Sequence, residues 1–504
     1  MSNQDSSGQG RSTHVEQDGE NRIDGPSHGK AADQIARSLV LVILVSIPAL
    51  MCLRAGVMSD PDIWWHLRSA QWIVEHRSLP VSDPFSAYGA GKPWQAYSWL
   101  YDLTALQLFR MWNLAAIVIY TSAMVAAITA ALFRLIDRLQ TDFTKSALLT
   151  VAGVVSLSGI LTPRPWLFSI LFFVLEIDVL LQARRTGKLR EMFWLPALFV
   201  LWSNIHIQFI DGLVVLGIAL VEPLAERWWP YRRTQLRSGG LWAVLGGCVL
   251  GAMVNPYGWH IYRIAYELVT QSGGYQIITE LKALDFRDSA DYMLLFMVLS
   301  AAAALAWSRR PPFFETALLA LGSYLSFHGM RDRWFVAIAA CAVLASVLPV
   351  DEERRQSRPP MWAVPLMVIG VVGLLAVGVK VFDVSQTRLA ASLAEELPVA
   401  AVDAIQQQGL SGKLFNDYDW GGYLIWRLRQ PVSIDGRSAL HGDIRIARNV
   451  DTWMGKPDWA SDPDLVAAGL VIGPTNLPLT QLLRLDADFK LVYEDKVATV
   501  FVRR

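Results

Sequence analysis

Apolar stretches of about 20 residues recur along most of this 504-residue chain, and they constrain its fold more than any other feature. A helix of that length and composition crosses a bilayer, so each stretch predicts one membrane span. With 53% hydrophobic and 18% charged residues, the chain is also too apolar for an ordinary soluble domain. The sequence therefore predicts a mainly α polytopic membrane protein with about eleven spans, at residues 38–56, 113–133, 146–161, 165–182, 192–209, 211–224, 240–255, 291–307, 313–329, 333–350 and 361–381.

Two segments differ in texture from the apolar region, which occupies residues 37–382. Residues 1–36 are polar with almost no aliphatic bulk, which predicts a disordered tail. Residues 383–504 predict a small soluble α/β domain. Its signals are a helical spacing in "ASLAEELPVAAVDAIQQQG" that stops at Gly409, strand-like runs in "KLFND" and "PVSID", and a terminal hairpin in "KLVYEDKVATVFVRR".

The distribution of Lys and Arg among the short loops predicts the orientation in the membrane. Basic residues mark cytoplasmic loops, and alternate connections carry them. These are Arg134, Arg138 and Lys145; Arg184, Arg185, Lys188 and Arg190; Arg227, Arg232, Arg233 and Arg237; Arg309 and Arg310; and Arg354, Arg355 and Arg358. We therefore expect a cytoplasmic amino terminus, with loop 57–112 and residues 383–504 on the outer side of a bacterial inner (cytoplasmic) membrane.

This orientation makes a direct prediction for reporter fusions. A reporter fused after Arg185 should signal the cytoplasm and one fused at Arg504 the outer side, because an odd number of spans separates the amino terminus from residue 383. Alkaline phosphatase and green fluorescent protein fusions measure the two sides. Identical signals at both positions would contradict the orientation.

Charge and cysteine content exclude some classes of function. The formal net charge is zero and no Lys/Arg-rich nucleic-acid motif is present, so we expect no nucleic-acid partner. All three cysteines, Cys52, Cys248 and Cys341, fall inside apolar runs. They are predicted to be small buried hydrophobic residues and not a disulfide set or metal cluster.

Polar residues collect at the predicted outer ends of the helices. Ionisable groups near hydrocarbon are costly and tend to face a cavity or a partner. Taken singly, an arginine at a helix end more often extends its charge to the membrane surface. That explanation does not favour the outer side, where arginine should be depleted. The residues are Asp60, Asp62, His66, Arg164, Asn204, His206, Asn255, His260, His328, Arg331 and Arg333.

The first outer loop carries the clearest motif, which runs from Asp60 to Leu100: "DPDIWWHLRSAQWIVEHRSLPVSDPFSAYGAGKPWQAYSWL". It resembles the first outer loop of the GT-C superfamily of membrane glycosyltransferases, where an acidic motif precedes a helix along the membrane surface and a Pro-containing turn. The similarity is greatest to a bacterial branch that shares "DPDIWWHL". It covers the first 110 residues best, and later segments match only in pieces such as "RPWLFS", "WSNIH" and "NPYG".

The resemblance implies transfer of a sugar from a polyprenyl-phosphate donor, with the catalytic carboxylate in the acidic motif. We favour Asp62 over Asp60 because Asp62 directly precedes the predicted helix and lies one turn from His66. Asp60 is then its partner or, with Asp62, a ligand for one divalent cation such as Mg or Mn. The apolar stripe of Trp65, Trp72 and Ile73 is expected to lie in the membrane interface.

Cationic side chains on the outer side are the candidates for binding the donor. Guanidinium groups bind phosphate oxygens bidentately, which suggests Arg164, Arg331 and Arg333 for the phosphate. His206 and His328 join them as substrate-binding candidates. Asp83, which precedes Pro84, is expected to form an Asx-type turn more than to face the cavity.

A second resemblance lies in the outer domain, at "LFNDYDWGGYLIWRLRQPVSIDGRSALHGD". This segment is similar to the region around the "WWDYG" motif in the catalytic subunit of oligosaccharyltransferases, although the paired tryptophans are absent. It makes Asp419 and Trp420 substrate-binding candidates. The alternative is a tight turn with positive φ at Gly421 and Gly422, and a second turn at residues 435–436.

Two other classes of function remain open from the sequence. A transporter should show inverted repeats with broken helices, and neither is visible. A catalytically silent scaffold for envelope assembly is the other alternative. Neither the sugar nor the acceptor, which can be a glycan, lipid or protein, follows from the sequence.

Overall fold

The computed structural model describes residues 27–55, 60–225, 228, 234–236, 238–270, 281–349 and 361–504. The part before residue 384 is helical. Its helices are α1 Ser27–Ala55, α2 Asp62–His76, α3 Trp99–Leu139, α4 Phe143–Leu157, α5 Trp166–Thr186, α6 Leu195–Ile205, α7 Phe209–Ala225, α8 Ser238–Ala252, α9 His260–Thr270, α10 Ser289–Trp307, α11 Phe313–His328, α12 Arg333–Val347 and α13 Ala363–Val381.

Six helices in the described part of the chain are long and apolar enough to cross a membrane. They are Ala31–Ala55, Trp99–Leu139, Phe143–Ile160, Trp166–Thr186, Ser289–Trp307 and Ala363–Val381. The other five predicted spans coincide with helices of 11 to 17 residues. The total of about eleven spans therefore stays a prediction.

Two helix boundaries differ from the sequence prediction. Helix α1 begins at Ser27, so residues 27–36 are helical where a disordered tail was expected; residues 1–26 lie outside the described part. Helix α3 begins at Trp99 and is broken at Trp112 and Asn113, whose φ is +50°. The predicted span 113–133 corresponds to the helix after this break.

The centre of the bundle is α12, which is apolar on every side. Almost all of its residues are buried, as expected for a helix surrounded by others. Helix α13 is at the opposite extreme. Only 6% of its apolar stretch is buried inside the protein, and it packs against α1. Gly370 lies against Val42, and Gly378 lies against Leu50 and Leu53.

One basic residue of the predicted cytoplasmic loops is buried instead of facing water. Arg184, in the last turn of α5, donates to Glu222 of α7 and Glu315 of α11. All three side chains are at most 6% exposed. A buried charge requires such partners, so this triad joins three helices.

Residues 384–504 form helices around a four-stranded sheet. The helices are α14 Gln386–Glu396, α15 Val399–Gln407, α16 Gly421–Leu428, α17 Ser438–His441, α18 Asp443–Trp453, α19 Pro463–Val466 and α20 Pro478–Leu485. The strands are β1 Leu414–Asn416, β2 Leu470–Pro474, β3 Phe489–Glu494 and β4 Ala498–Arg503, in the order β1-β2-β4-β3. β1 runs parallel to β2, and the other neighbours are antiparallel.

The predicted hairpin is present as β3 and β4, and the predicted strand "KLFND" is present as β1. The run "PVSID" is not a strand of this sheet. Instead, Val432 exchanges backbone hydrogen bonds with the first loop, donating to the Phe85 oxygen at 3.1 Å and accepting from the Ala87 N–H at 3.0 Å. The C-terminal segment is thus hydrogen-bonded to loop 57–112.

Candidate active site

A cavity of about 300 Å³ lies where α2, the first loop and the C-terminal segment meet. Its walls come from the start of α2, the loop residues 93–98, the segment 164–166, helix α9 and residues 436–440. Five of the predicted site residues line it together: Asp62, His66, Arg164, His206 and Arg331. Residues distant in the sequence therefore converge on one space.

The acidic motif is held by Arg164. Arg164 Nε donates to both carboxylate oxygens of Asp60, at 2.8 and 2.7 Å, and its Nη1 lies 2.8 Å from Asp62 Oδ2. Asp60 Oδ1 also accepts the backbone N–H of Asp62 at 3.0 Å. The Asp60 side chain is 3% exposed and does not line the cavity, whereas the Asp62 side chain is 13% exposed and does. Asp62 is thus the carboxylate that a substrate can reach.

The predicted metal pair does not fit a divalent cation in this arrangement. Arg164 bridges Asp60 and Asp62, so its guanidinium occupies the space between the carboxylates that a cation would need. Among the described residues, no group of three or more His, Cys, Asp or Glu side chains is suited to a metal. The chemistry that we derive for this cavity therefore uses no metal ion.

His66 forms a buried dyad with Asp102. Its Nδ1 lies 2.6 Å from Asp102 Oδ1, and Ser69 donates to the other carboxylate oxygen at 2.7 Å. Trp65 stacks on the imidazole with ring centroids 3.6 Å apart. Because Nδ1 is engaged by Asp102, Nε2 is the ring nitrogen left to contact a ligand in the cavity.

His206 and Arg331 also line the cavity. His206 Nδ1 lies 2.8 Å from the Ser169 hydroxyl, which accepts a hydrogen bond from Trp202 Nε1 at 2.8 Å. Arg331 lies in a 3-10 turn, Met330–Asp332, and its side chain is 37% exposed. A guanidinium that is only partly covered remains able to bind an anion.

Besides Asp60, four predicted site residues lie outside the cavity lining. Arg333 is buried in an ion pair with Asp291 of α10, because it starts α12 and its side chain turns into the bundle. His328 is exposed and stacks on Tyr324. Asp419 is exposed and Trp420 is buried under the start of α16. These four residues do not share the cavity with Asp62, and their assignment to the substrate site stays a prediction.

Arg437, like Asp102, is a residue that sequence reasoning missed. It donates to both oxygens of Asp435, at 2.8 and 2.7 Å, and its Nη1 lies 2.5 Å from Asp83 Oδ1. Asp83 also forms the expected Asx turn, accepting the Phe85 N–H at 2.9 Å. Burial alone would raise the pKa of Asp435, but the positive charge of Arg437 and the contact with His441 lower it well below its usual range. This buried cluster joins the C-terminal segment to the first loop.

The "DYDW" motif forms a turn into α16, as the turn interpretation predicts. The predicted positive φ at Gly421 and Gly422 is wrong, since both residues are helical. Their small size is needed for packing instead. A Cβ on Gly421 would overlap the backbone of Ile434 and Asp435, and one on Gly422 would lie 2.7 Å from the Pro61 oxygen. Similarly, a Cβ on Gly436 would overlap Asp62 Oδ1.

Asp417 of this motif should make stability depend on pH. Burial, with the nearby Asp419, raises its pKa to about 7. A carboxyl whose pKa is raised on folding stabilises the native state below its unfolded pKa, about 3.9, and loses that contribution as the pH rises through the folded pKa. We expect Asp417→Asn to reduce the fall in melting temperature between about pH 5 and about pH 8. Thermal unfolding in detergent measures it, and a fall equal to that of the wild type would contradict the assignment.

Comparisons with known proteins identify solved structures that are similar to this one. A scan of family models found no match, and a search of curated sequences found none either. Among solved structures, the chain is similar to the archaeal oligosaccharyltransferase AglB from Archaeoglobus fulgidus, with a TM-score of 0.50 and 11% identity over 89% of this chain and 70% of that one. ArnT from Cupriavidus metallidurans aligns with a TM-score of 0.48 and 13% identity over 94% of this chain and 98% of that one.

At such low sequence identity, the similarity to AglB shows a shared fold and nothing more. The long apolar helices of the bundle agree with it. The chain is an integral membrane protein that shares the fold of AglB.

Proposed function

We propose that this protein is a membrane glycosyltransferase that moves a sugar from a polyprenyl-phosphate donor to an acceptor of the cell envelope. One observation carries the proposal: Asp62, fixed by Arg164, lines a cavity with His66, His206 and Arg331. The fold supports it, because AglB was solved in complex with a dolichol-phosphate, which is a polyprenyl-type lipid phosphate. The donor and this cavity would lie on the outer side of a bacterial inner membrane, with the amino terminus in the cytoplasm.

The reaction needs a base and a site for the leaving phosphate. An oxygen or nitrogen of the acceptor bonds to C1 of the sugar, while the bond between C1 and the phosphate oxygen breaks. Polyprenyl phosphate leaves with the electron pair, and the acceptor's proton goes to the Asp62 carboxylate. A positioned base and cations that stabilise the developing negative charge are the two main aids to such a transfer.

The surrounding residues divide into substrate contacts and positioning residues. Asp60 is a positioning residue, since both of its oxygens hold Arg164. Asp102 and Ser69 do the same for His66, whose Nε2 is left for the sugar or the acceptor. Arg331 is the proposed contact to the donor phosphate, because it is the cavity arginine with the greatest exposure.

Arg331 and Arg333 make a matched pair for testing the phosphate contact. Undecaprenyl phosphate is the probe, since the proposed donor is a sugar carried on a polyprenyl phosphate. Arg331→Gln should weaken its binding about tenfold, because one partly exposed charge-assisted contact is lost while little packing changes. Fluorescence quenching or native mass spectrometry of the purified protein measures the affinity.

Arg333→Gln should behave differently. It leaves Asp291 buried without its cation, which typically costs about 3–5 kcal/mol, so the melting temperature should fall. Any protein that remains folded should bind undecaprenyl phosphate as the wild type does. Wild-type affinity in Arg331→Gln, or a tenfold loss in folded Arg333→Gln, would contradict the division of roles.

A turnover assay discriminates this function from a transporter or a silent scaffold. Purified protein in nanodiscs is given fluorescent polyprenyl-phosphate hexoses and pentoses with an envelope extract as acceptor. A glycosyltransferase releases polyprenyl phosphate and labels the extract. Transport across sealed vesicles without sugar transfer would favour a transporter, and binding without either activity would favour a scaffold.

A further inference from the structure

A second cavity of about 940 Å³ adjoins the site cavity on the loop side. The two share the wall made by Pro93, Trp94 and Gln95, together with Ile264, Glu267, Ala439 and Leu440. Leu79, Pro80 and Val81 from the loop after α2 close its far side. A molecule seated in this outer cavity therefore lies beside the cavity that holds Asp62.

The ionisable groups of the outer cavity are mostly basic. Lys92, His260 and Arg263 line it against a single carboxylate, Glu267. Arg263 Nε donates to Glu267 at 2.8 Å, so this acid is already matched by one cation. Within the described part of the chain, neither Lys92 nor His260 has a carboxylate within ion-pair distance, and neither belongs to the bundle core.

Lys92 stacks on Tyr88 together with Arg445. The arginines near it, Arg445 and Arg448, are themselves paired with Asp464. The Lys92 Nζ lies 3.1 Å from the centroid of the Tyr88 ring, and the Arg445 guanidinium lies 4.1 Å from the same centroid. The pKa of Tyr88 is lowered, first by a hydrogen bond with Lys92 and then by the positive charges of Lys92, Arg445 and Arg448. Positive charge near a concave surface concentrates anions there.

We infer that the outer cavity binds the acceptor and that this acceptor carries a phosphate group, which Lys92 and Arg263 bind. This rests on the proposed function, since it assigns the second substrate of the same transfer. The inner cavity already has a base and a phosphate contact for the donor. An acceptor anchored at Lys92 reaches Asp62 along the shared wall at residues 93–95.

The test uses the full-length protein and small anions whose neutral counterparts are available. Glucosamine 1-phosphate against glucosamine represents a sugar source, and dioctanoyl phosphatidic acid against dioctanoylglycerol represents a lipid source. We expect at least one phosphorylated probe to bind more tightly than its neutral counterpart. Lys92→Gln and Arg263→Gln should each weaken that binding about five- to tenfold, the effect of one partly exposed charge-assisted contact.

The matched control is Lys490→Gln, an exposed lysine on β3 away from both cavities. It should bind every probe as the wild type does. Undecaprenyl phosphate reports the inner cavity separately, and its affinity should be the same in Lys92→Gln and the wild type. Whichever phosphorylated probe shows the loss identifies the source of the anion.

Four outcomes overturn the inference, and only the third of them also overturns the proposed function. Equal binding of the phosphorylated and neutral probes would show that the cavity does not recognise an anionic group. If Lys92→Gln and Arg263→Gln both bind the probes as Lys490→Gln does, Lys92 and Arg263 do not form a binding site. If anions bind at Lys92 but no sugar is transferred to any acceptor, both the acceptor role and the proposed function are wrong. Turnover that is retained with neutral acceptors alone removes this inference and leaves the function standing.

Discussion

Asp62→Asn should nearly abolish sugar transfer while leaving the protein folded in the membrane. Asparagine keeps the shape of the side chain but removes its charge and basicity. Loss of a general base typically costs on the order of a hundred- to ten-thousandfold in rate. Asp62 is partly exposed to the cavity, and Arg164 keeps its two contacts to Asp60, so the local structure should survive the change. Turnover of a fluorescent lipid-linked sugar by purified protein measures the effect.

Asp60→Asn is the matched control for this prediction. Asp60 is buried behind Arg164 and does not line the cavity, so its loss should act through the position of Arg164. We expect a milder loss of turnover, accompanied by a lower melting temperature, because the partly buried Arg164 guanidinium loses a charged partner. A folded Asp62→Asn protein with wild-type turnover would show that the first loop is not part of the active site.

The sequence predicts the acidic motif and its helix because their signals are local. Two carboxylates next to a helical pattern can be recognised from neighbouring residues, and α2 spans Asp62–His76 as expected. The apolar stripe of Trp65, Trp72 and Ile73 was expected to lie in the membrane interface, but its environment differs. Ile73 is buried against protein, and Trp65 lines the cavity and stacks on His66. Periodicity identifies an apolar face but does not say whether lipid or protein covers it.

The arginines after α11 show where local reasoning stops. Arg331 and Arg333 are two residues apart and equally close to the outer end of a helix in the sequence. Helix α12 begins at Arg333, which turns its side chain to Asp291, whereas Arg331 stays in the preceding turn. Side-chain direction depends on where the helix starts, and that boundary is the least certain part of a sequence prediction.

Asp102 and Arg437 were missed because their partners are distant in the sequence. Asp102 meets His66 from 36 residues away, and Arg437 meets Asp83 from 354 residues away. The available signals were weak. Asp102 is an ionisable residue in the first turn of a mostly apolar helix, and Arg437 follows the "SIDG" turn. A charge in either setting must find a partner when it is buried, but only the fold says which one.

Arg437→Met should detach the C-terminal segment from the first loop and destabilise the protein. The Arg437 side chain is 3% exposed, pairs with Asp83 and Asp435, and lies 5.1 and 4.8 Å from the ring centroids of Phe85 and Trp94. Methionine keeps apolar contact with these rings but leaves two buried carboxylates without their cation. Breaking a buried pair in this way typically costs about 3–5 kcal/mol.

Thermal unfolding and limited proteolysis in detergent measure this effect. The melting temperature should fall, and residues 383–504 should be cleaved faster than in the wild type. Transfer should fall as well, because residues 436–440 form one wall of the cavity. Arg484→Met, which removes an exposed pair with Glu494 in the same segment, should leave all three unchanged.

The charge mechanism predicts two further results for Arg437→Met. Adding Asp83→Asn should recover part of the lost stability, because one uncompensated carboxylate is removed. The stability difference from the wild type should also shrink as the pH falls below about 4. The lowered pKa of Asp435 stabilises the wild type above its unfolded pKa, and this contribution disappears as the pH falls through the folded pKa. If Arg437→Met melts at the wild-type temperature, or if Asp83→Asn lowers its stability further, the buried cluster does not hold the C-terminal segment over the site.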